Sequence, residues 1–192
     1  RSWKPRAGEG ARVKRLLALA ACAAALAACS KVSGGTGAHS WTKAGVLRVA
    51  IQSEPKTLDP IFASNTTDSM ITRLIFDPLL SATPQGEPVP VLATEVPTQE
   101  NGGVSKDGLT VTYHLRKGVT FSDGAPLTSK DVKFTWQAMM NDANNVVSRH
   151  GFDEVKSIDT PDPYTVVVHL KEKFSPFVNT FFAESDSPVT IV

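Results

Sequence analysis

Few side chains in this 192-residue chain have the type and spacing that reactive chemistry needs. The four histidines, His39, His114, His150 and His169, are scattered, and no H-E-x-x-H pair occurs. Cys22 and Cys29 are the only thiols, too few for a cysteine-based zinc cluster or a disulfide-stapled miniprotein. No G-x-S-x-G is present, and the adjacent carboxylates Asp153-Glu154 have the pattern of solvated surface acids. A hydrolase would have no nucleophile–base pair to work with. The sequence therefore predicts no enzyme, no metal site and no cofactor. With 20 Lys and Arg against 19 Asp and Glu there is no polybasic signature, so nucleic acid is not an expected partner.

One cysteine does sit in a chemically defined context. After Val13-Lys14-Arg15, the run from Leu16 to Ala28 carries no charge. Thirteen apolar residues span about 20 Å as a helix, short of the roughly 30 Å hydrocarbon core. That length predicts a cleaved export signal over residues 1–28 rather than a transmembrane helix. The first methionine is Met70, and Val13 is a candidate for the true start. Leu26-Ala27-Ala28-Cys29-Ser30 is similar to a bacterial lipobox. Small residues at 27 and 28 admit a peptidase to the backbone, and the Cys29 thiol would carry a diacylglyceryl group. Leu19-Ala20-Ala21-Cys22 has the same local pattern but leaves only six apolar residues ahead of its cysteine, so Cys29 is the predicted site. Each buried CH₂ of the acyl chains contributes about 0.8 kcal/mol to anchoring in a membrane. Removing residues 1–28 takes away six basic residues and one acid. The remaining 164 residues then carry 14 basic and 18 acidic side chains, a net charge of −4. Residues 29–45, glycine-rich from Ser30 to Ser40, read as a lipidated cysteine and flexible tether in which His39 is solvated.

The elements that follow are interspersed. Val46 to Ile51 is short, β-branched and nearly continuous in apolar character, and predicts a buried strand. Glu54 to Pro60 is a loop interrupted by two prolines. Asn65-Thr66-Thr67-Asp68 supplies a helix start, followed by Met70, Ile71, Leu74 and Ile75 at helical spacing. Pro78 ends or kinks that helix, and Leu79 and Leu80 continue its apolar face. Turns are expected over residues 84–88 and 100–108. Leu109 to Arg116 alternates apolar and polar, and Tyr164 to Leu170 is a second β-branched run. In those strands His114 and His169 read as solvated or hydrogen-bonded sheet residues. Thr128-Ser129-Lys130-Asp131 has the form of a capping box, and the helix it opens places Val132, Trp136, Met139 and Met140 toward a core. Residues 141–151 read as a loop, and Phe174 to Phe177 starts another short element. The pattern is that of a mixed α/β (α+β) domain.

The stretch from His114 to Phe134, HLRKGVTFSDGAPLTSKDVKF, is more specific. It closely resembles the signature of bacterial extracellular solute-binding proteins of family 5, the dipeptide- and oligopeptide-binding group. The resemblance rests on Leu115, Arg116, Gly118, Val119, Phe121, Asp123, Gly124, Pro126, Thr128, Asp131, Val132 and Phe134. Glu54-Pro55-x-x-Leu58-Asp59-Pro60, Asp162-x-Tyr164-Thr165-Val166 and Phe174-x-x-Phe177 extend it over nearly all of residues 46–192. Physically, these signature residues read as scaffold: a tight Asp-Gly turn, a stiffening proline and a helix start.

The resemblance implies an incomplete N-terminal part of a two-lobed, periplasmic-binding-protein type 2-like fold. Residues 46–76 would be the first segment of ligand-binding domain I and 77–192 most of domain II, with the second lobe missing. It further implies an extracytoplasmic, lipid-anchored receptor of an ABC importer for peptides or small solutes, working with permease and ATPase subunits. A ligand-sensing or scaffold envelope lipoprotein, or nickel-complex or sugar cargo, are the alternatives that the same resemblance leaves open. By position, Ser64 and Thr66 fall where family members contact ligand, with Ser148 in the 144–150 loop a weaker candidate; helix capping is the competing role for Ser64 and Thr66. Strand 46–51, severed from sheet partners, is expected to leave apolar faces exposed and the 164-residue product prone to aggregate.

Overall fold

Alternation along Thr110–His114 dictates the central sheet: Val111 and Tyr113 point inward at 2% and 0% exposure, while His114 faces solvent. The computed structural model describes residues 43–183 and 191. The chain divides into two units, Arg1–Val49 and Ala50–Val192. Of the first unit only residues 43–49 are described, and they form no strand.

The second unit runs as follows. A 3₁₀ turn, Pro60–Phe62, precedes helix α1 at Thr66–Thr72. Strands β1 (Leu80–Ala82) and β2 (Pro88–Pro90) form a short antiparallel hairpin, turned at Gly86 with φ of 86°. Then come β3 (Thr110–His114), helix α2 (Ser129–Met140), β4 (Val155–Asp162), β5 (Thr165–Leu170) and the short helix α3 (Phe177–Thr180). The last three strands make an antiparallel sheet in the order β3-β5-β4. Val111 pairs with Val168 and Tyr113 with Val166, so the β-branched run of β5 fills the sheet centre. Helix α2 lies against β4 and β5 and buries Val132, Thr135 and Met139, with Trp136 and Met140 half-buried.

The core is completed by aromatic rings from the end of the described chain. Phe177, Phe181, Phe182 and Phe152 are all at or below 2% exposure. Phe182 packs edge-on to Phe181 at 4.6 Å and to Phe152 at 4.9 Å. The Phe182 carbonyl accepts the N–H groups of both Leu79 and Leu80, and Ala183 bridges Leu80 in parallel. These contacts cover Leu79 and Leu80, which are completely buried.

Two sequence expectations need correction. The segment 46–51 is not a buried strand: Val46, Leu47, Val49 and Ile51 are 48%, 88%, 56% and 38% exposed. A strand needs a neighbour for its backbone groups, and none pairs with this run among the described residues. The apolar helix beginning at Thr66 is also shorter than its pattern. It ends at Thr72, and the bonds Leu74 N–H to Ile71 O and Ile75 N–H to Thr72 O loosen it into a turn well before Pro78. Its inward face is polar, Asp68 and Thr72, whereas Met70, Leu74 and Ile75 are 53%, 74% and 54% exposed. Leu79 and Leu80 belong instead to the segment entering β1. The exposed apolar residues expected at 46–51 are there without the strand, and α1 with the turn after it adds others that were not expected.

Tyr113 combines complete burial with a hydroxyl that has no hydrogen-bond partner among the described residues. Burial pushes its phenol far above the ordinary 10.0. The folded state therefore holds Tyr113 neutral, while the unfolded chain ionises it above about pH 10. This contribution to stability is complete below that pH and is lost progressively as pH rises beyond it. Urea titrations at pH 7 and pH 11 should show that Tyr113→Phe removes this loss. At pH 7 the variant should match the parent or exceed it by up to about 1 kcal/mol. A loss of more than about 2 kcal/mol at pH 7 would mean that the hydroxyl is satisfied.

Candidate functional site

The loop from Ser53 to Thr67 is shaped by its own side chains. Asp59 Oδ1 accepts the Ile61 N–H at 3.0 Å, and the Asp59 N–H donates to Thr57 Oγ1 at 3.0 Å, turning the chain into the 3₁₀ turn that starts on Pro60. Asn65, extended at φ −143°, caps α1: its Oδ1 accepts the Asp68 N–H at 3.0 Å. Asp68 then folds back. Its Oδ1 accepts the Lys56 N–H at 2.7 Å, and its Oδ2 accepts Asn65 Nδ2 at 2.7 Å and the Ser64 N–H at 3.4 Å. The carboxylate is 0% exposed.

Because Asn65 does the capping, the hydroxyls of Ser64 and Thr66 make no hydrogen bond among the described residues. Both residues are exposed. Beside them Ser53 Oγ and Thr67 Oγ1 bond to each other at 3.0 Å. The loop thus presents a group of hydroxyls, two of them uncommitted, that can donate to or accept from a polar solute. Asn65 and Asp68 were legible in the sequence as helix-start residues. The carboxylate's reach back to Lys56 was not, because nothing in sequence spacing fixes which of several loop amides a buried acid will meet.

Ser148 stands elsewhere, in the loop after α2. It is exposed, and its hydroxyl accepts the His150 N–H at 3.2 Å. No hydrogen bond joins it to Ser64 or Thr66. The root of its loop is strapped to the helix end: Arg149 Nε donates to Met139 O and Nη2 to Asn141 O, both at 3.0 Å, and Asn144 Nδ2 donates to Ala138 O at 2.9 Å. Cys29 lies outside the described residues.

The segment from Leu115 to Phe134 is held by bonds to distant main chain and by bonds within its own turns. Arg116 donates its main-chain N–H to Leu92 O at 2.9 Å and its Nε to Val91 O. Val119 to Leu127 forms a tight excursion. In it, Leu127 N–H meets Val119 O at 3.0 Å, Phe121 N–H meets Ala125 O at 2.8 Å, and Asp123 Oδ1 accepts the Ala125 N–H at 2.9 Å. Gly118 and Gly124 sit at φ 78° and 89°, where a side chain would be strained. Asp131 Oδ2 takes the Thr128 N–H at 2.6 Å and its hydroxyl at 2.9 Å, starting α2. Leu115 and Val132 are buried, Val119 and Phe121 half-buried, and Pro126 and Phe134 exposed.

Two further arrangements bear on function. Across the sheet, His169 Nε2 meets Asp159 Oδ2 at 3.0 Å and its Nδ1 lies 3.4 Å from Thr110 Oγ1. The row has the residue types of a hydrolytic triad. However, the His169 and Asp159 side chains are 36% and 67% exposed, on a strand surface without an enclosing cleft, so it reads as a cross-strand network. An apolar cleft of about 360 Å³ lies between the turn at 104–108 and the Phe174–Val178 segment, lined by Val104, Val111, Leu170, Phe174 and Phe177 with Lys106 and Lys173 beside them. Among the described residues no group of three or more His, Cys, Asp or Glu could hold a metal ion.

Residues 87–190 match the sequence profile described as "Bacterial extracellular solute-binding proteins, family 5 Middle". Protein XP55 of Streptomyces lividans is 34% identical over 175 residues, covering 91% of this chain and 31% of its own length. The glutathione-binding protein GsiB of Salmonella typhimurium is 33% identical over 131 residues, covering 68% of this chain and 24% of its own. Among solved structures, the binding protein AgaA of A. tumefaciens R10, in complex with agropinic acid, superposes with a TM-score of 0.63 at 27% identity. That match covers 72% of this chain and 26% of AgaA. This chain therefore spans from about a quarter to just under a third of the length of these proteins.

Among the described residues the Asp131 carboxylate hydrogen-bonds to Thr128, at the start of its own helix. Asp131→Ala should lower stability by about 1 kcal/mol in urea denaturation. It should leave the amide hydrogen exchange of Lys56 and Ser64, in the hydroxyl-bearing loop, unchanged. Exchange at those amides rising along with the stability loss would instead join the signature to that loop.

Proposed function

The chain belongs to family 5 of the bacterial extracellular solute-binding proteins, and we propose that it serves as part of the substrate-binding component of an ABC importer. In this role it captures peptides or similar small solutes outside the cytoplasm and hands them to a membrane permease driven by an ATPase. It binds solute without transforming it. The observation that carries this reading is the pair of uncommitted hydroxyls, Ser64 and Thr66, on a loop fixed from within. Polar groups that are exposed, positioned and unspent on capping suit recognition of a peptide's amides and carboxylate. The similarity to a glutathione-binding protein supports a peptide as cargo, and the likeness to AgaA keeps small non-peptide solutes within the same class.

The same proposal assigns the parts of the chain. Residues 1–28 direct export. Cys29 is acylated and residues 29–45 tether the domain to the membrane. Residues 46–76 contribute the first segment of the ligand-binding domain, and 77–192 most of a second. Grip on solute is shared with a facing lobe, supplied by the portion of the family's length that this chain does not span, and the two lobes close by a hinge. The exposed apolar residues Leu58, Met70, Leu74 and Ile75 suit a surface covered in that larger assembly.

Calorimetric titration of the full-length gene product with glutathione and tri-alanine tests the cargo. Binding of either is expected, and Thr66→Trp should weaken it by at least about tenfold, or 1.4 kcal/mol. Binding of nickel–histidine or an oligosaccharide with no response to either peptide would overturn the peptide reading. For the anchor, cells fed labelled palmitate should incorporate it into the parent protein and not into Cys29→Ser. Equal labelling of both would overturn the assignment of Cys29.

A further inference from the structure

Asp68 is a completely buried carboxylate that makes no ion pair among the described residues. Burying a charge in that way is costly unless hydrogen bonds surround it. The helix cap does not need the carboxylate, since Asn65 Oδ1 already accepts the Asp68 N–H. What the carboxylate adds is reach. Oδ1 holds the main chain of Lys56, twelve residues earlier, and Oδ2 holds the main chain of Ser64 and the amide of Asn65. All three donors belong to the loop, and none belongs to the β-sheet.

We propose that Asp68 is the positioning residue of the solute-contacting loop: its buried carboxylate locks Lys56, Ser64 and Asn65 together so that the Ser64 and Thr66 hydroxyls stand in place before solute arrives. The proposal rests on the reading that Ser64 and Thr66 meet solute. Asp68 itself does not touch it. A loop closed at its base by charge-assisted bonds samples few conformations, and a binding-competent fraction near one avoids the loss of apparent affinity that a mobile loop would impose. The Ser53–Thr67 hydroxyl bond is weaker and exposed, so it ties the loop's outer side without replacing the inner lock.

The test uses the full-length gene product with tri-alanine and glutathione as probes, and three variants. Asp68→Asn puts an N–H₂ where Oδ2 accepted two donors. The double variant Asn65→Asp with Asp68→Asn restores an acid–amide pair in reversed order. Thr66→Trp reports on the contact itself. Asp68→Asn should speed amide hydrogen exchange at Lys56 and Ser64 by about tenfold, the scale of one charge-assisted bond. The amides of Val166 and Val168 in β5 should keep their protection, which separates local loosening from general instability. Peptide affinity should fall about tenfold and recover at least in part in the double variant. If exchange at Lys56 and Ser64 is unchanged in Asp68→Asn, or if exchange rises while affinity holds, Asp68 does not position the loop. If Thr66→Trp also leaves affinity untouched, the underlying assignment of the loop to solute fails. If Thr66→Trp abolishes binding and Asp68→Asn does not weaken it, only the positioning role is overturned.

Discussion

The larger unit holds together because its chain returns on itself at Phe182. The main chain there adopts φ 47°, a left-handed conformation that costs a non-glycine residue on the order of 1–2 kcal/mol. That geometry aims one carbonyl at two amides, Leu79 and Leu80, while the rings of Phe181 and Phe182 turn into the core against Phe152 and Tyr113. Burial of an aromatic ring outweighs the strain, since truncating one in a core removes about 3–5 kcal/mol. The β1–β2 hairpin, whose β2 carries two prolines, is fastened to the larger unit by these bonds at Phe182 and by the segment after β2, where Ala93 bridges Leu115 and the Thr94 N–H meets His114 O at 2.7 Å.

How much of this was legible in the sequence depends on whether the deciding interaction is local. The strand at Thr110–His114, the strand at Thr165–Leu170 and the helix from Ser129 emerge where their patterns place them, because alternation, β-branching and a capping box act over a few residues. Gly86, Gly118 and Gly124 mark turns for the same reason. Strand β4 did not announce itself. Its buried residues Val155 and Ile158 are three apart, and register shifts at Val155/Ser157 and Asp159/Asp162 break the two-residue period. The apolar runs at 46–51 and 70–75 misled in the opposite sense: pattern reports which residues would be buried given a partner, and here no described segment covers them.

The candidate site divides along the same line. Ser64 and Thr66 are proposed from their position within a recognisable segment, and it is Asn65, not either of them, that caps α1. Ser148 remains an exposed residue of a separate loop. The most diagnostic stretch, Leu115 to Phe134, spends its bonds on its own turns and helix start and on the main chain of Leu92, Asp162, Pro163 and Tyr164, which is why it identifies a fold far better than it identifies a ligand. Residues that recognise solute must vary with cargo, while residues that shape a turn need not.

The strapping of the loop after α2 has a practical side. Arg149 and Asn144 bind the carbonyls of Ala138, Met139 and Asn141, so the carbonyls at the helix end are satisfied by the root of the loop, while Val146 packs against the core. Val147 and Ser148 at the tip are exposed. A fluorophore or a circularly permuted reporter spliced in at that point would hang from a fixed hinge pin without unravelling the helix, which makes the tip a natural insertion point for turning this domain into a biosensor.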